Sequence, residues 1–294
     1  MNSGPFIYSK NDIQKIINTI LIILVPLILY GFYKNGIIPM TKEYGNVFDL
    51  LKPLLIPLIG FSIGYGIKKL RKNKSFVFLP LYGLLAGMAS PVSINYFMFI
   101  IICSLVLGII TYLPQKISFN RSAIIILVIL VISTLLKNYS YMNLYEVNVE
   151  VAYSFVDVIV GRNFSGMATS SILLVVIGYV YLSFNDKYKS DIPIYILGSY
   201  IIFAIIGIFI SNGFENFISK VFNGYLFFSV VFIATDNASS PYTKMGRVLY
   251  GVATGICIFI FSLFINLNIA VFLAVVLTSI FKPVFDKTYE IYLN

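Results

Sequence analysis

Apolar stretches about as long as a bilayer is thick recur along this chain, and they limit most strongly what it can fold into. They run Ile16–Tyr33, Val47–Ile67, Ser75–Pro91, Val92–Leu113, Ser122–Leu136, Met167–Phe184, Ile192–Ile210, Ile218–Thr235, Val248–Asn266 and Ile269–Phe285. A spanning helix needs about 20 such residues, with a range of roughly 17–25. Hydrocarbon offers no water to bare backbone groups, so spans of this kind are helices. The pattern predicts an all-α membrane protein of about ten transmembrane helices. Composition agrees: charged residues are 11% of the chain, against about 25% in soluble domains. Residues 1–294 read as a single polytopic membrane domain, and the first run reads as an uncleaved start-transfer anchor.

The net charge of +9 would raise the question of nucleic acid in a soluble protein. Here the bias of Lys and Arg towards cytoplasmic loops explains it, and the bilayer is the expected partner instead. Lys68, Lys69, Arg71, Lys72 and Lys74 form the densest basic cluster and set the inner side. Alternating spans from there leaves most Lys and Arg inside and puts both termini in the cytoplasm. There is no His, which removes His-ligated haem, ordinary zinc sites and His acid–base chemistry. Cys103 and Cys257 lie deep in apolar runs and read as small core residues, so no metal site is expected.

Several spans are short, notably Ser75–Pro91 and Ser122–Leu136, as in broken or half-membrane helices. Gly60/Gly64, Gly83/Gly87 and Gly251/Gly255 place small residues four apart, a spacing that lets helices approach closely in lipid. Packing within the chain is the simpler reading, and packing on a partner chain the alternative. The halves 1–137 and 138–294 have similar hydropathy with five spans each, which suits two repeats of inverted topology. The longest polar connection, Lys137–Phe164, falls outside and has room for an interfacial helix around Val149–Val160.

Three polar stretches carry the candidate chemistry. Ala234–Arg247 holds Asp236 between two apolar spans, where a carboxylate is costly unless paired or wet. Lys244 and Arg247 are near enough in sequence to pair with it, and Thr235, Ser239, Ser240 and Thr243 add hydroxyls. An ordinary helix–helix turn with a cap is the plain alternative. Arg162–Ser171 places Ser165, Thr169 and Ser170 before an apolar run, as a cap or as an anion-binding helix start. Ile117–Ala123 opens a short span, with Asn120 beside Arg121, and its plain reading is a cap with Arg121 as an inner-side anchor.

In this order the three stretches resemble the RnfD and NqrB family, membrane components of the Rnf electron-transport complex and of the sodium-pumping NADH:quinone reductase. That family shows a Thr-Asp-Pro-x-(Ser/Thr)-Ser-Pro-x-Thr-x-x-Gly turn and then a Tyr-Gly helix start. Thr235-Asp236, Ser240-Pro241-Tyr242-Thr243, Gly246 and Tyr250-Gly251 match it. Ala168-Thr169-Ser170 leading to Asp191-Ile192-Pro193 is similar to its Gly-Glu-Thr-Ser segment and following Arg-Ile-Pro. Ile117–Ala123 is similar to its Asn-x-Phe-Asn-Pro-Ala. The resemblance implies a urea-transporter-like bundle of two inverted five-helix repeats in the bacterial cytoplasmic membrane. It implies a protein that passes electrons through flavin, next to other redox subunits, with coupled movement of Na⁺ or H⁺.

Family members carry FMN as a phosphoester on the Thr of a Ser/Thr-Gly-Ala-Thr motif. Here Ser165-Gly166-Met167-Ala168-Thr169 is the nearest approach, with one residue too many, so flavin (FMN or riboflavin) is expected to be non-covalent. The expected flavin contacts are Asn120, Ser165, Thr169, Ser170, Asp236, Ser240 and Thr243. No catalytic side chain is assigned, because the flavin would carry the chemistry. Two other functions stay open: a small-solute channel of urea-transporter type, and a membrane anchor for an extracytoplasmic flavoprotein.

Overall fold

The computed structural model describes residues 10–41, 47–71, 77–112, 118–136, 155–162, 165–211 and 221–291. In chain order the helices are α1 (Lys10–Phe32), α2 (Ile38–Thr41), α3 (Val47–Leu50), α4 (Lys52–Arg71), α5 (Leu79–Ala89), α6 (Tyr96–Ile110) and α7 (Arg121–Leu135). After them come α8 (Phe155–Val160), α9 (Ile172–Ser183), α10 (Asp191–Ser211), α11 (Gly224–Phe228), α12 (Lys244–Phe264), α13 (Leu267–Ile280) and α14 (Lys282–Ile291). Wider π-helical turns follow α1 at Tyr33–Ile37 and α11 at Ser229–Ile233. Among the described residues there is no strand. Gln14–Thr41, Lys52–Arg71 and Lys244–Phe264 are long and apolar enough to cross a membrane, and shorter apolar helices accompany them. The described residues form an all-helical fold whose apolar helices suit a membrane protein.

The glycine pairs pack within the chain. A Cβ on Gly60 would lie 2.1 Å from the Gly83 carbonyl oxygen, so α4 and α5 touch backbone to backbone. Gly251 and Gly255 bring α12 close to α10, Gly251 leaving room for the Tyr195 Cβ and Gly255 for Ser199 Oγ and the Ile196 carbonyl. Each contact sits in a different half of the sequence.

The centre holds two short buried helices. Every residue of α5 is buried, as in a helix that is apolar all round. At about 1.5 Å per residue it is roughly half as long as the hydrocarbon core is thick. Helix α11 with its π turn is shorter still, and all but Phe227 of it is buried. The two run antiparallel. Tyr225, at the start of α11, donates to the carbonyl of Ala89 at the end of α5 (2.8 Å). Tyr82, near the start of α5, donates to Asp236 just beyond the π turn (3.2 Å).

Both short helices end inside the bundle, so their last carbonyls need partners from elsewhere in the chain. At the end of α5, Ala168 N–H donates to Met88 and Met167 N–H to Ser90, each at 3.0 Å. At the end of α11, Val231 accepts from Tyr188 (2.8 Å) and Thr235 (2.7 Å), and Ile233 accepts from the Asn120 side chain (2.7 Å).

Some boundaries differ from the sequence reading. Of the expected span Ile218–Thr235, residues 218–220 lie outside the described residues and Val221 is helical; a new helix then starts at Gly224, where the Asn223 side chain accepts the Tyr225 N–H (2.8 Å) and caps it. The expected span Ile269–Phe285 breaks at Phe281, and α14 restarts with Pro283 in its first turn, a position that suits a residue without an N–H. Of the expected interfacial helix, Phe155–Val160 is present, and 137–154 lies outside the described residues.

Arg71, at the end of α4, stacks on Tyr112, just beyond α6 (3.9 Å). The starts of α5, α10 and α12 lie at this basic end of the bundle. So does the first part of α1, whose Ile16 and Ile20 line a small cavity with Tyr82 and Asp236. Helix α14 is at the same end, through Lys282.

Candidate functional site

The seven expected contact residues separate into two groups, one at each end of the paired short helices. Asn120, Asp236, Ser240 and Thr243 gather at the basic end. Ser165, Thr169 and Ser170 gather at the other.

At the basic end the chain leaves the π turn and folds Asp236–Ser240 into a tight loop. The Asp236 backbone carbonyl accepts from Ser240 N–H (2.9 Å) and from Ser240 Oγ (2.7 Å). Its carboxylate accepts from Tyr82 OH (3.2 Å), Ser239 Oγ (3.4 Å) and Ala238 N–H (3.4 Å). Burial pushes the Asp236 carboxyl above its ordinary range, opposed by the Ala238 and Tyr82 hydrogen bonds and the charges of Lys189 and Lys282.

The expected partners Lys244 and Arg247 do not pair with Asp236. Both sit in the first turn of α12, which leads away from the loop. Arg247 pairs with Asp191 (3.1 Å), and Lys244 is exposed. Two lysines from other segments take their place. Lys189 Nζ donates to Ser240 O (2.9 Å) and Oγ (2.7 Å), and Lys282 Nζ donates to Ala238 O (2.8 Å). The Tyr242 ring lies 4.5 Å from the Lys189 ammonium and 4.0 Å from that of Lys282, so a cation–π contact holds each. Burial pushes Lys189 down to about 7, helped by the charge of Lys282.

Thr243 caps α12: its Oγ1 accepts the Gly246 N–H (3.1 Å). Asp286 of α14 accepts the backbone N–H groups of Tyr242 (2.9 Å) and Thr243 (3.2 Å). Asn120 caps α7 by accepting the Ala123 N–H (3.0 Å), donates to Ile233 O, and gives its own N–H to Ser279 Oγ (3.0 Å). It thus ties three segments together. A cavity of about 30 Å³ beside Asp236, Tyr82, Ser122 and Tyr188 has room for about one water.

At the opposite end Thr169 is fully buried, and its Oγ1 accepts the Gly166 N–H (3.1 Å). Ser165 is buried and its hydroxyl contacts the Gly166 carbonyl (3.4 Å). The Ser170 hydroxyl is buried without a partner among the described residues. Ser171 caps α9 through the Leu174 N–H (3.3 Å). Asn35, from the π turn after α1, donates to Met167 O (3.0 Å). The sequence reading singled out none of Tyr82, Lys189, Lys282, Asn35 or Tyr225. Their polarity inside apolar or basic surroundings was the available signal.

A flavin fits these residues unevenly. At the basic end the polar atoms are bonded within the chain and the cavity is far smaller than an isoalloxazine. A phosphoester on Thr169 does not fit a hydroxyl that is buried and already bonded. Ser170 is the one candidate hydroxyl that is buried with no hydrogen-bond partner among the described residues.

The model of the NQR2, RnfD, RnfE family matches residues 1–291. The D subunit of the ion-translocating oxidoreductase complex of Buchnera aphidicola subsp. Baizongia pistaciae is 34% identical over 110 residues, 37% of this chain and 31% of that protein. Its counterpart of the same name from Actinobacillus succinogenes is 30% identical over 112 residues, 38% of this chain and 32% of that protein. The matched parts therefore span about a third of these relatives.

Proposed function

The chain belongs to the NQR2, RnfD, RnfE family, and on that premise we propose that it is a membrane subunit of an ion-translocating oxidoreductase complex. We read it as a bundle of ten spans in two inverted five-helix repeats, 1–137 and 138–294, with both ends in the cytoplasm. The observation that carries this reading is the antiparallel pair of buried short helices, one from each half, each ending inside the bundle on side chains of other segments. Such broken helices put polar groups at membrane depth without exposing bare backbone to lipid. The glycine-packed pairs α4–α5 and α10–α12, one in each half, support the repeat. The shared position of Arg71, Lys189 and Lys282 at one end supports its orientation, by the positive-inside rule.

Flavin, FMN or riboflavin, is proposed to meet this chain non-covalently at the Ser165–Ser171 end, with Ser170 as the available hydroxyl. Bound flavin would supply electron transfer between the redox subunits of the complex. The chain's own residues do the rest. The Met167 and Ala168 N–H groups fix the Ser165–Ser171 segment against the end of α5, Thr169 braces it from within, and Asn35 holds it from the turn after α1. At the other end Tyr82 and Ser239 hold the Asp236 carboxylate, which stores a proton more readily than an exposed acid. Of Na⁺ and H⁺, the proton suits this loop better, because burial favours the neutral form of the Asp236 carboxyl. The burial of the Thr169 hydroxyl also favours a second reading, an anchor that docks an extracytoplasmic flavoprotein.

The test is to purify the chain with its co-expressed partners in mild detergent, record the flavin spectrum, and view a denaturing gel under ultraviolet light. Flavin in the spectrum with no fluorescent band at this chain's mass supports non-covalent binding. A fluorescent band there overturns it. Flavin confined to a separate partner supports the anchor.

A further inference from the structure

At the end of the bundle away from Arg71, a groove of about 680 Å³ opens between α3 and the start of α6, lined by Val47, Phe48, Asp49, Lys52, Asn95 and Tyr96. None of these residues belongs to the flavin or Asp236 groups. Lys52 is only 8% exposed. Its ammonium pairs with the Asp49 carboxylate at 2.7 Å, and the Tyr96 ring lies 5.9 Å from it. The Tyr96 hydroxyl donates to the Phe48 carbonyl and fixes the wall of the groove. A buried lysine is costly at a surface that lipid reaches, and one turn of helix supplies its counter-charge.

The groove opens onto exposed apolar surface. Val47 and Phe48 are exposed at its rim, and Phe97, Ile101, Leu105 and Ile109 form an exposed apolar ridge four residues apart along α6. One built positive charge, one built negative charge and an adjoining apolar track together match an amphiphile with both charges in its head. We propose that this groove binds a zwitterionic phospholipid of the ethanolamine type. The phosphate sits on Lys52, the ammonium on Asp49 and the Asn95 side chain, and an acyl chain lies along the α6 ridge. An ethanolamine ammonium can donate three hydrogen bonds, whereas a choline head has no donor for Asp49. A glycerol-type anionic head brings its charge to Asp49 with no ammonium to offset it.

The full chain, delipidated in detergent, is titrated with phosphatidylethanolamine, phosphatidylcholine or phosphatidylglycerol of matched acyl chains and read by native mass spectrometry. Soluble phosphoethanolamine and inorganic phosphate are added in separate arms as competitors. Phosphatidylethanolamine is expected to be retained about tenfold better than either other lipid, the scale of one charge-assisted hydrogen bond. Asp49→Asn keeps the shape of the groove and is expected to abolish that preference while phosphatidylglycerol gains. Lys52→Gln is expected to lose all three lipids. Equal retention of the three lipids, or an unchanged preference in Asp49→Asn, overturns the proposal. Displacement by inorganic phosphate as effective as by phosphoethanolamine overturns the lipid assignment in favour of a plain anion site.

Discussion

Gly60 and Gly83 face each other across α4 and α5 so closely that a Cβ on either would lie about 2 Å from the other's carbonyl oxygen, 2.1 and 2.0 Å respectively. Both obstacles are backbone, so no side chain can swing away. Gly60→Ala or Gly83→Ala must separate the two helices and loosen α5, the most buried helix of the centre. The expected loss is about 3 kcal/mol, the upper range for overpacking. Gly66→Ala on the same helix meets nothing within 4 Å and is expected to be neutral or to gain about 0.5–1 kcal/mol. Thermal unfolding in detergent of the three variants checks this. Equal behaviour of Gly60→Ala and Gly66→Ala would refute the close contact.

Asn120 engages four groups at once, and removal of its side chain strands three of them. Asn120→Ala leaves the Ala123 N–H, the Ser122 hydroxyl and the Ile233 carbonyl without the bonds they make now. The expected cost is about 2–4 kcal/mol, from a lost cap and a buried unpaired carbonyl. Asn120→Asp keeps an acceptor for Ala123 but has no donor for Ile233, and it should fall between Ala and wild type. The ranking by melting temperature is the measurement. An alanine variant as stable as wild type would show that Asn120 is not the clamp.

Thr169 tests whether this hydroxyl carries a cofactor or only a backbone bond. Thr169→Val keeps the shape and leaves the Gly166 N–H unpaired, an expected loss of about 1–3 kcal/mol. The flavin-to-protein ratio of the purified complex is expected to stay the same. A ratio that falls in Thr169→Val while the fold holds would reinstate an ester at this position.

Much of this architecture is legible in the sequence, because hydropathy and glycine spacing act locally. Several apolar spans, the close approach of glycine-bearing helices, the short α5 and a cap in each of the Ile117–Ala123 and Ala234–Arg247 stretches follow from neighbours within a few residues. The second short helix is hidden, because Ile218–Thr235 is apolar almost throughout and only the Asn223 side chain marks where α11 begins. The partners of Asp236 are hidden for another reason. Tyr82 comes from the other half of the chain, and Lys189 and Lys282 look like ordinary inner-side anchors by charge alone. Burial separates them from the exposed Lys244, and a sequence pattern does not report burial for a lysine beside a span.

Lys189 makes the basic end sensitive to pH in a direction that can be worked out. Its ordinary value is 10.5, and burial with the charge of Lys282 lowers it to about 7 in the folded chain. Between those values the unfolded chain binds a proton there that the folded chain does not. Stability therefore rises with pH from about 7 towards 10.5 and is flat in this respect below 7. Burial also lowers Lys282, against the opposing charges of Asp286 and Asp236, so it acts in the same sense. Asp236, raised by burial, acts in the opposite sense once pH exceeds its ordinary value. The Lys189 contribution is thus read as a difference in slope between wild type and Lys189→Met. Wild type is expected to gain melting temperature between pH 7 and 9, and Lys189→Met to show a flatter profile from a different starting level, since it also loses both bonds to Ser240. Parallel profiles would mean that Lys189 stays charged across this range and that the Ser240 bonds and the Tyr242 ring offset its burial.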